Sequence, residues 1–538
     1  MLSRKFVICL LLTGLLFSAA AQGQLDYSLI KEVDLKSHID FLCAPALEGR
    51  VAPGQGSEQA QRYIASLFEK YGLQELESAP QYLQNVPLRI SRTDYESTKV
   101  LLDFGDKQIS FSANDQFFFF PKGGEDYDIC GEVILCGYGI TAPEFNWDDY
   151  QQTDISGKFV LVIDGEPRLE DGSSRLNGER GNPTKYSRDV VKARIAQSKG
   201  ALGLLIAASV KTDSAGIVEK FGNKAEKMFD PIVQLPGYES DFPVIYLNSD
   251  AAEEFVGGDA HYFEAYQYLL PNEPRLLKDH QRDPVTLTLK IRYKDIQDTA
   301  TANVIGFLPG QTDNAVLVMA HHDHEGIKNG KLYPGADDNA SGVAGLLGIA
   351  KATARSSGKP ANSIIFLSSG AEEKGSLGAN YFIQHPPYPL DKIITVINMD
   401  EIGRDGSPQF RAMFDPSISG EKDLLMVFYS GQTPAFAEIA KQLDQQDLNL
   451  LLEPVLTFHS SSDHVPFHAQ QIPSMFLFTG FHSDYTSPRD VPEKIVYDKL
   501  LRVTRFATSL TWEIATTKKR PTFDTSITEV ERKGTYGH

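Results

Sequence analysis

Two textures of hydrophobic and polar positions divide the chain. From about Asp283 onward, short runs that are almost wholly apolar recur: Val316–Met319, Ser363–Ser368 and Ile393–Ile397. Runs of this kind suit strands buried on both faces, and between the first two Val343, Leu346, Leu347 and Ala350 fall at helical spacing. Asn339 or Ser341 stands where that helix needs an N-cap. Strand, loop and helix in alternation predict an α/β domain built on a mainly parallel, doubly wound sheet with both faces covered.

Earlier in the chain, Leu35 to Tyr71 reads as helical with an interruption at Val51–Gly56. Ala60, Tyr63, Ile64 and Phe68 form its apolar stripe, and Gly72 is placed to end it. Between Glu125 and Pro274 the runs shorten into β-rich pieces, Glu132–Leu135, Lys158–Ile163 and Phe242–Leu247, around a predicted helix at Val190–Lys199. Gly, Asp and Pro separate them, and no set of His, Asp and Glu at ligand spacing occurs there. This segment reads as an inserted module that adds shape rather than chemistry.

Composition narrows the picture. At 538 residues, two folded units are expected. A formal charge of −19 excludes a nucleic-acid binder, which needs a basic face. Arg4 and Lys5, the apolar run Phe6–Phe17 and the small residues Ala19 to Ala21 have the layout of a secretory signal peptide over residues 1–21. An exported, periplasmic or extracellular chain with no membrane anchor after cleavage is therefore expected. Cys43, Cys130 and Cys136 remain, too few for a disulfide framework and at no zinc-finger spacing, so they read as small buried residues.

The chemistry gathers where the apolar runs end. After Met319 comes Ala320-His321-His322-Asp323-His324. After Ser368 comes Ala371-Glu372-Glu373, and after Ile397 comes Asn398-Met399-Asp400. Pro334-Gly335-Ala336-Asp337-Asp338-Asn339-Ala340-Ser341-Gly342 stands between the first two. Open α/β sheets bind ligands at the carboxyl ends of their strands, so these groups are expected at one rim. One imidazole among several carboxylates suits a divalent metal, zinc in particular. The two-residue step from His321 to Asp323 lets a carboxylate orient the ring from behind. No Gly-x-Ser-x-Gly elbow, catalytic cysteine or His-Glu-x-x-His helix competes with this reading.

These motifs in this order resemble the co-catalytic zinc peptidases that include bacterial leucyl aminopeptidase, aminopeptidase Y and glutamate carboxypeptidase. Segment 125–274 looks like the protease-associated domain that many members carry. The resemblance implies a zinc exopeptidase domain in two parts, 22–124 and 275–515, with a polar tail at 516–538. It also implies two zinc ions bridged by Asp337. His321 and Asp400 complete one site, Glu373 ligates the other, and Glu372 is the general base. Ser462-Asp463-His464 matches a family segment whose role stays open.

The family's final ligand, the histidine of Tyr-His-x-Pro, is replaced by Thr486. Three outcomes are open: a substitute histidine (His482, His464 or His459), one tight zinc with a weak second metal, or a non-catalytic binding protein. The leading expectation is a zinc aminopeptidase acting on peptides. A binding protein, or a carboxypeptidase-type member, is the alternative.

Overall fold

The computed structural model of the chain describes residues 25–113, 116–119, 125–151, 153–169, 171–181, 183–207, 231–237, 242–256, 285–412, 419–443, 448–456, 458, 462–517 and 520–527. The expected signal peptide and His459 lie outside them. The chain forms two compact units, Met1–Pro87 with Ala300–His538, and Leu88–Thr299.

In the first unit the apolar runs are strands. β1 (Tyr293–Leu308), β2 (Thr312–His321), β3 (Asn362–Ser369), β4 (Ile393–Met399), β5 (Leu424–Ser430), β6 (Asn449–Val455) and β7 (Ser474–Phe478) lie in the order β1-β3-β2-β4-β7-β5-β6. The centre, β3-β2-β4-β7, is parallel, and β5 is parallel to β6. β1 joins β3, and β5 joins β7, antiparallel. The sheet is therefore mixed around a parallel centre. The apolar runs carried no sign of strand direction, which is set by connections longer than the strands.

Every residue from Ala315 to Ala320 is fully buried, as a strand covered on both faces requires. Val316, Val318 and Ala320 face α1 (Glu32–Leu42), α2 (Gln55–Tyr71), α3 (Gly342–Ala354) and the carboxyl-terminal helix Tyr497–Thr516. Leu317 and Met319 face the other way, against Ala379 and Phe382 of the helix Leu377–Gln384 and Phe467. Each such side chain contributes roughly 1.5–3 kcal/mol by leaving water, which fixes the strand whose end carries the site. Gly72 ends α2 with φ of 84°, and Asn339 rather than Ser341 caps α3, its Oδ1 accepting the Gly342 N–H at 2.9 Å. Part of the expected loose tail is docked: the Asp524 N–H donates to Gln432 O at 2.9 Å.

The second unit is wider than the expected insertion, because Lys99–Asp103 and Gln108–Ser112 also belong to its sheet, through the strand Thr286–Ile291. Lys99–Asp103 meets Thr286–Ile291 across a long sequence distance, and no shift in composition marks either short strand. Phe159–Ile163, Gly203–Ala207 and Val244–Leu247 run parallel at one side of this sheet, with the helix Asp189–Ser198 in the same unit. Two of its charged groups have local partners. Lys192 is fully buried and donates to the carbonyls of Tyr138 and Ile163, and Glu166 accepts the Thr184 N–H at 3.0 Å. Cys43 and Cys136 are buried as expected, whereas Cys130 is exposed on an alternating strand, and none of the three is in a disulfide. Among the described residues no helix is long and apolar enough to cross a membrane.

Candidate metal centre

Parallel strands end side by side, so the residues just after β2, β3 and β4 are forced together. His321 is the last residue of β2 and Asp400 comes directly after β4; His321 Nε2 lies 3.3 Å from Asp400 Oδ1. Glu372 and Glu373 open a short turn after β3, and Glu372 Oε2 stands 4.0 Å from the same Nε2. These four sequence candidates converge.

Asp337 does not join them, and this corrects the expectation. The carboxylate between the two halves of the site is that of Asp338: Oδ1 is 3.5 Å from His321 Nε2, and Oδ2 is 3.6 Å from His324 Nδ1. Asp338 leaves the helical backbone region (φ −101°, ψ 97°), so the two neighbouring carboxylates depart in different directions. Asp337 Oδ1 instead accepts the Gly403 N–H at 2.7 Å. Asp490 accepts the backbone N–H groups of both Asp337 and Asp338, at 2.9 and 3.1 Å, and so fixes the turn that separates them.

Two groups of buried ligand-type atoms result, His321 with Asp338 and Asp400, and His324 with Asp338 and Glu373. His324 is fully buried, and its Nδ1 lies 2.7 Å from Glu373 Oε1. Yet both atoms are without an aligned hydrogen-bond partner. A buried polar atom lacking a partner costs about 1–3 kcal/mol, so orphans converging on one point fit an absent cation. Two imidazoles and three carboxylates are a donor set suited to a pair of zinc ions.

A third group of ligand-type atoms is formed by Asp337, Glu401 and His482. His482 Nδ1 accepts the Asp484 N–H at 3.2 Å, and its Nε2 lies 3.4 Å from Asp337 Oδ2. His482 therefore joins neither of the two groups that share Asp338. Thr486 is exposed, and His464 is packed between the rings of Phe458 and Phe476, at 4.4 and 4.6 Å.

The supporting contacts differ in detail from the sequence reading. His321 Nδ1 meets the backbone carbonyl of Asp323 at 3.2 Å, with the Asp323 carboxylate farther off at 3.9 Å. That carboxylate accepts the N–H groups of Glu372 and Glu373, at 3.0 and 3.3 Å, and aims the pair. Ser462 gains a role, donating to Asp400 Oδ2 at 2.9 Å, while Asp463 accepts from the Ser369 hydroxyl. Burial, with Asp463, Asp400 and Glu373 adding to it, pushes the Glu372 carboxyl well above the usual range, against the opposing pull of His321. Sequence reasoning missed His324, Asp338 and the buried Arg50. For His324 the sign was present, a second histidine three residues after His321.

Residues 303–511 match the sequence profile of peptidase family M28. This part of the chain is similar to that family. Aminopeptidase YwaD of Bacillus subtilis (strain 168) is 24% identical over 397 residues, 71% of this chain and 69% of its own. The probable leucine aminopeptidase 2 of Aspergillus oryzae is 30% identical over 221 residues, 39% of this chain and 40% of its own. Leupeptin-inactivating enzyme 1 of Streptomyces exfoliatus is 30% identical over 185 residues, so the chain spans only 36% of that relative. Among solved structures, the aminopeptidase from Aneurinibacillus sp. strain AM-1 aligns with a TM-score of 0.46 at 19% identity, over 93% of this chain and 97% of that one. The matched span holds every residue of the two ligand groups.

Proposed function

We propose that the chain is an exported two-zinc aminopeptidase, releasing N-terminal residues from peptides. The observation that carries this reading is the Asp338 carboxylate, which offers one oxygen to each of two histidine-containing groups, with Glu372 beside the first. His321, Asp338 and Asp400 would hold one zinc and Asp338, Glu373 and His324 a second, and the bound metal would supply Lewis acidity and a water acidic near neutral pH. Glu372 takes the proton of the attacking water and returns it to the leaving amine. Ser462 and the Asp323 backbone keep Asp400 and His321 in register for that exchange.

The similarity to family M28 and the names of the relatives support peptides as substrates and the amino end as the point of attack. The charged start, apolar run and small residues of positions 1–21 support export. The motive for a non-catalytic reading was a missing ligand at 486, and the buried His324 beside Glu373 and Asp338 supports a retained second metal position instead. The test is turnover of aminoacyl-amides and peptides by the zinc-supplemented chain, with Glu372→Gln as control. Release of N-terminal residues by the parent protein alone supports the proposal. Equal rates in both proteins, or silence across the panel, overturn it.

A further inference from the structure

We propose that His324 is the resident histidine ligand of the second metal position, and that Arg50 is the positioning residue that sets it there. This rests on the two-zinc reading of the centre and deepens it.

Three independent observations converge on His324. Its ring is wholly buried with neither nitrogen hydrogen-bonded, although it is surrounded by acceptors. Its Nδ1 faces both carboxylates of the second group, at 2.7 Å from Glu373 and 3.6 Å from Asp338. The turn opposite is shaped to admit it: a Cβ on Gly335 would fall 2.5 Å from His324 Cγ and Cδ2, and Gly335 also holds a left-handed φ of 60°. A side chain there would occupy the ring's own space. Thr486, where the related pattern has its histidine, is exposed.

Arg50 ties the two segments of this position to each other. Its guanidinium is fully buried and spends its donors on loop carbonyls: Nε on His322 at 2.9 Å, Nη1 on Pro334 at 2.7 Å and Leu42 at 2.6 Å, and Nη2 on Gly335 at 2.9 Å. Its own carbonyl accepts the His324 N–H at 3.3 Å. One planar fork thus holds the segment bearing His324 and the start of the turn bearing Asp338. A lysine keeps the charge but loses that fork. Outer supports of this kind are worth about 10–100-fold in metal affinity.

The test counts zinc in the full chain by elemental analysis after dialysis against a zinc buffer, with folding followed by circular dichroism. The parent protein should hold two equivalents and His324→Ala one. Adding Thr486→His to His324→Ala should leave the count at one. Arg50→Lys should remain folded, keep the first zinc, and bind the second with a dissociation constant raised about tenfold or more, read by chelator competition. Two equivalents in His324→Ala, or a second equivalent regained through Thr486→His, overturn the ligand assignment. An unaltered second dissociation constant in folded Arg50→Lys overturns the positioning role. A parent protein holding fewer than two equivalents overturns the two-zinc reading itself, a result distinct from two equivalents persisting in the variant.

Discussion

Parallel strands end in polar loops in both units, but the loops treat their polar groups differently. In Leu88–Thr299 the buried Lys192 ends on two carbonyls, and Glu166 is met by the Thr184 amide and hydroxyl. In the unit formed by Met1–Pro87 with Ala300–His538, the residues His324, Glu373, Asp337 and Glu401 each keep at least one buried polar atom without a partner. Satisfied polar groups in an interior rigidify a fold, whereas orphans that converge are held at a cost the fold must balance elsewhere. Leu88–Thr299 has orphans too, Ser91 Oγ, Thr93 Oγ1, Tyr150 OH and Gln234 Oε1, but they are hydroxyl and amide atoms. Those of the metal centre are imidazole and carboxylate atoms grouped at ligand spacing.

The largest expected effect that tests this comparison lies in the core. Glu372→Gln should lower kcat/KM by roughly 10²–10⁴ while the zinc count and melting temperature stay unchanged, measured on the purified chain. Gly335→Ala should weaken retention of the second zinc by about 10–100-fold, because its Cβ would press on the His324 ring and on Asp338 O, 2.2 Å away. Chelator competition reads this directly. In the other unit, Lys192→Met should cost about 1–3 kcal/mol of stability by stranding two buried carbonyls, seen in denaturant unfolding, with turnover per folded molecule unaltered. A loss of turnover without a loss of stability there would break the comparison.

The smallest effect concerns acid. Burial holds His38 down to about 4 from its ordinary 6.5, so the ring is neutral in the folded chain but gains a proton when unfolded. The folded state therefore binds fewer protons between those values. The stability contributed is complete above pH 6.5 and falls away as pH drops toward 4. His38→Gln should flatten that part of the stability profile, read from melting temperatures across the window.

Much of the core was legible because buried parallel strands are written as uninterrupted apolar runs, and the residues just beyond each run are brought to one rim. His321, Glu372, Glu373 and Asp400 were found that way. Asp337 and Asp338 are the same residue type at adjacent positions, so spacing could not choose between them; the backbone turn of Asp338 did. His482 has the right chemistry in the right stretch, and only the Asp484 amide on its Nδ1 shows which nitrogen is available. The strands Lys99–Asp103 and Gln108–Ser112 pair with each other, and they escaped because Thr286–Ile291, which joins Lys99–Asp103 to the sheet, lies far along the chain. No short-range pattern records such a pairing.

The Arg50 fork has a consequence for how the molecule is made. During synthesis this arginine leaves the ribosome early, while its acceptor at His322 lies 272 residues later and that at Gly335 lies 285 later. At roughly 5–20 residues per second, tens of seconds pass in which a cationic side chain destined for the interior has none of those distant carbonyls to bind. Leu88–Thr299, made in the interval, has its own core and its own internal partners, so it can consolidate first. Assembly of the metal pocket is thereby placed late, after the long excursion of the chain has returned, and a nascent chain halted before Gly335 should lack a competent centre.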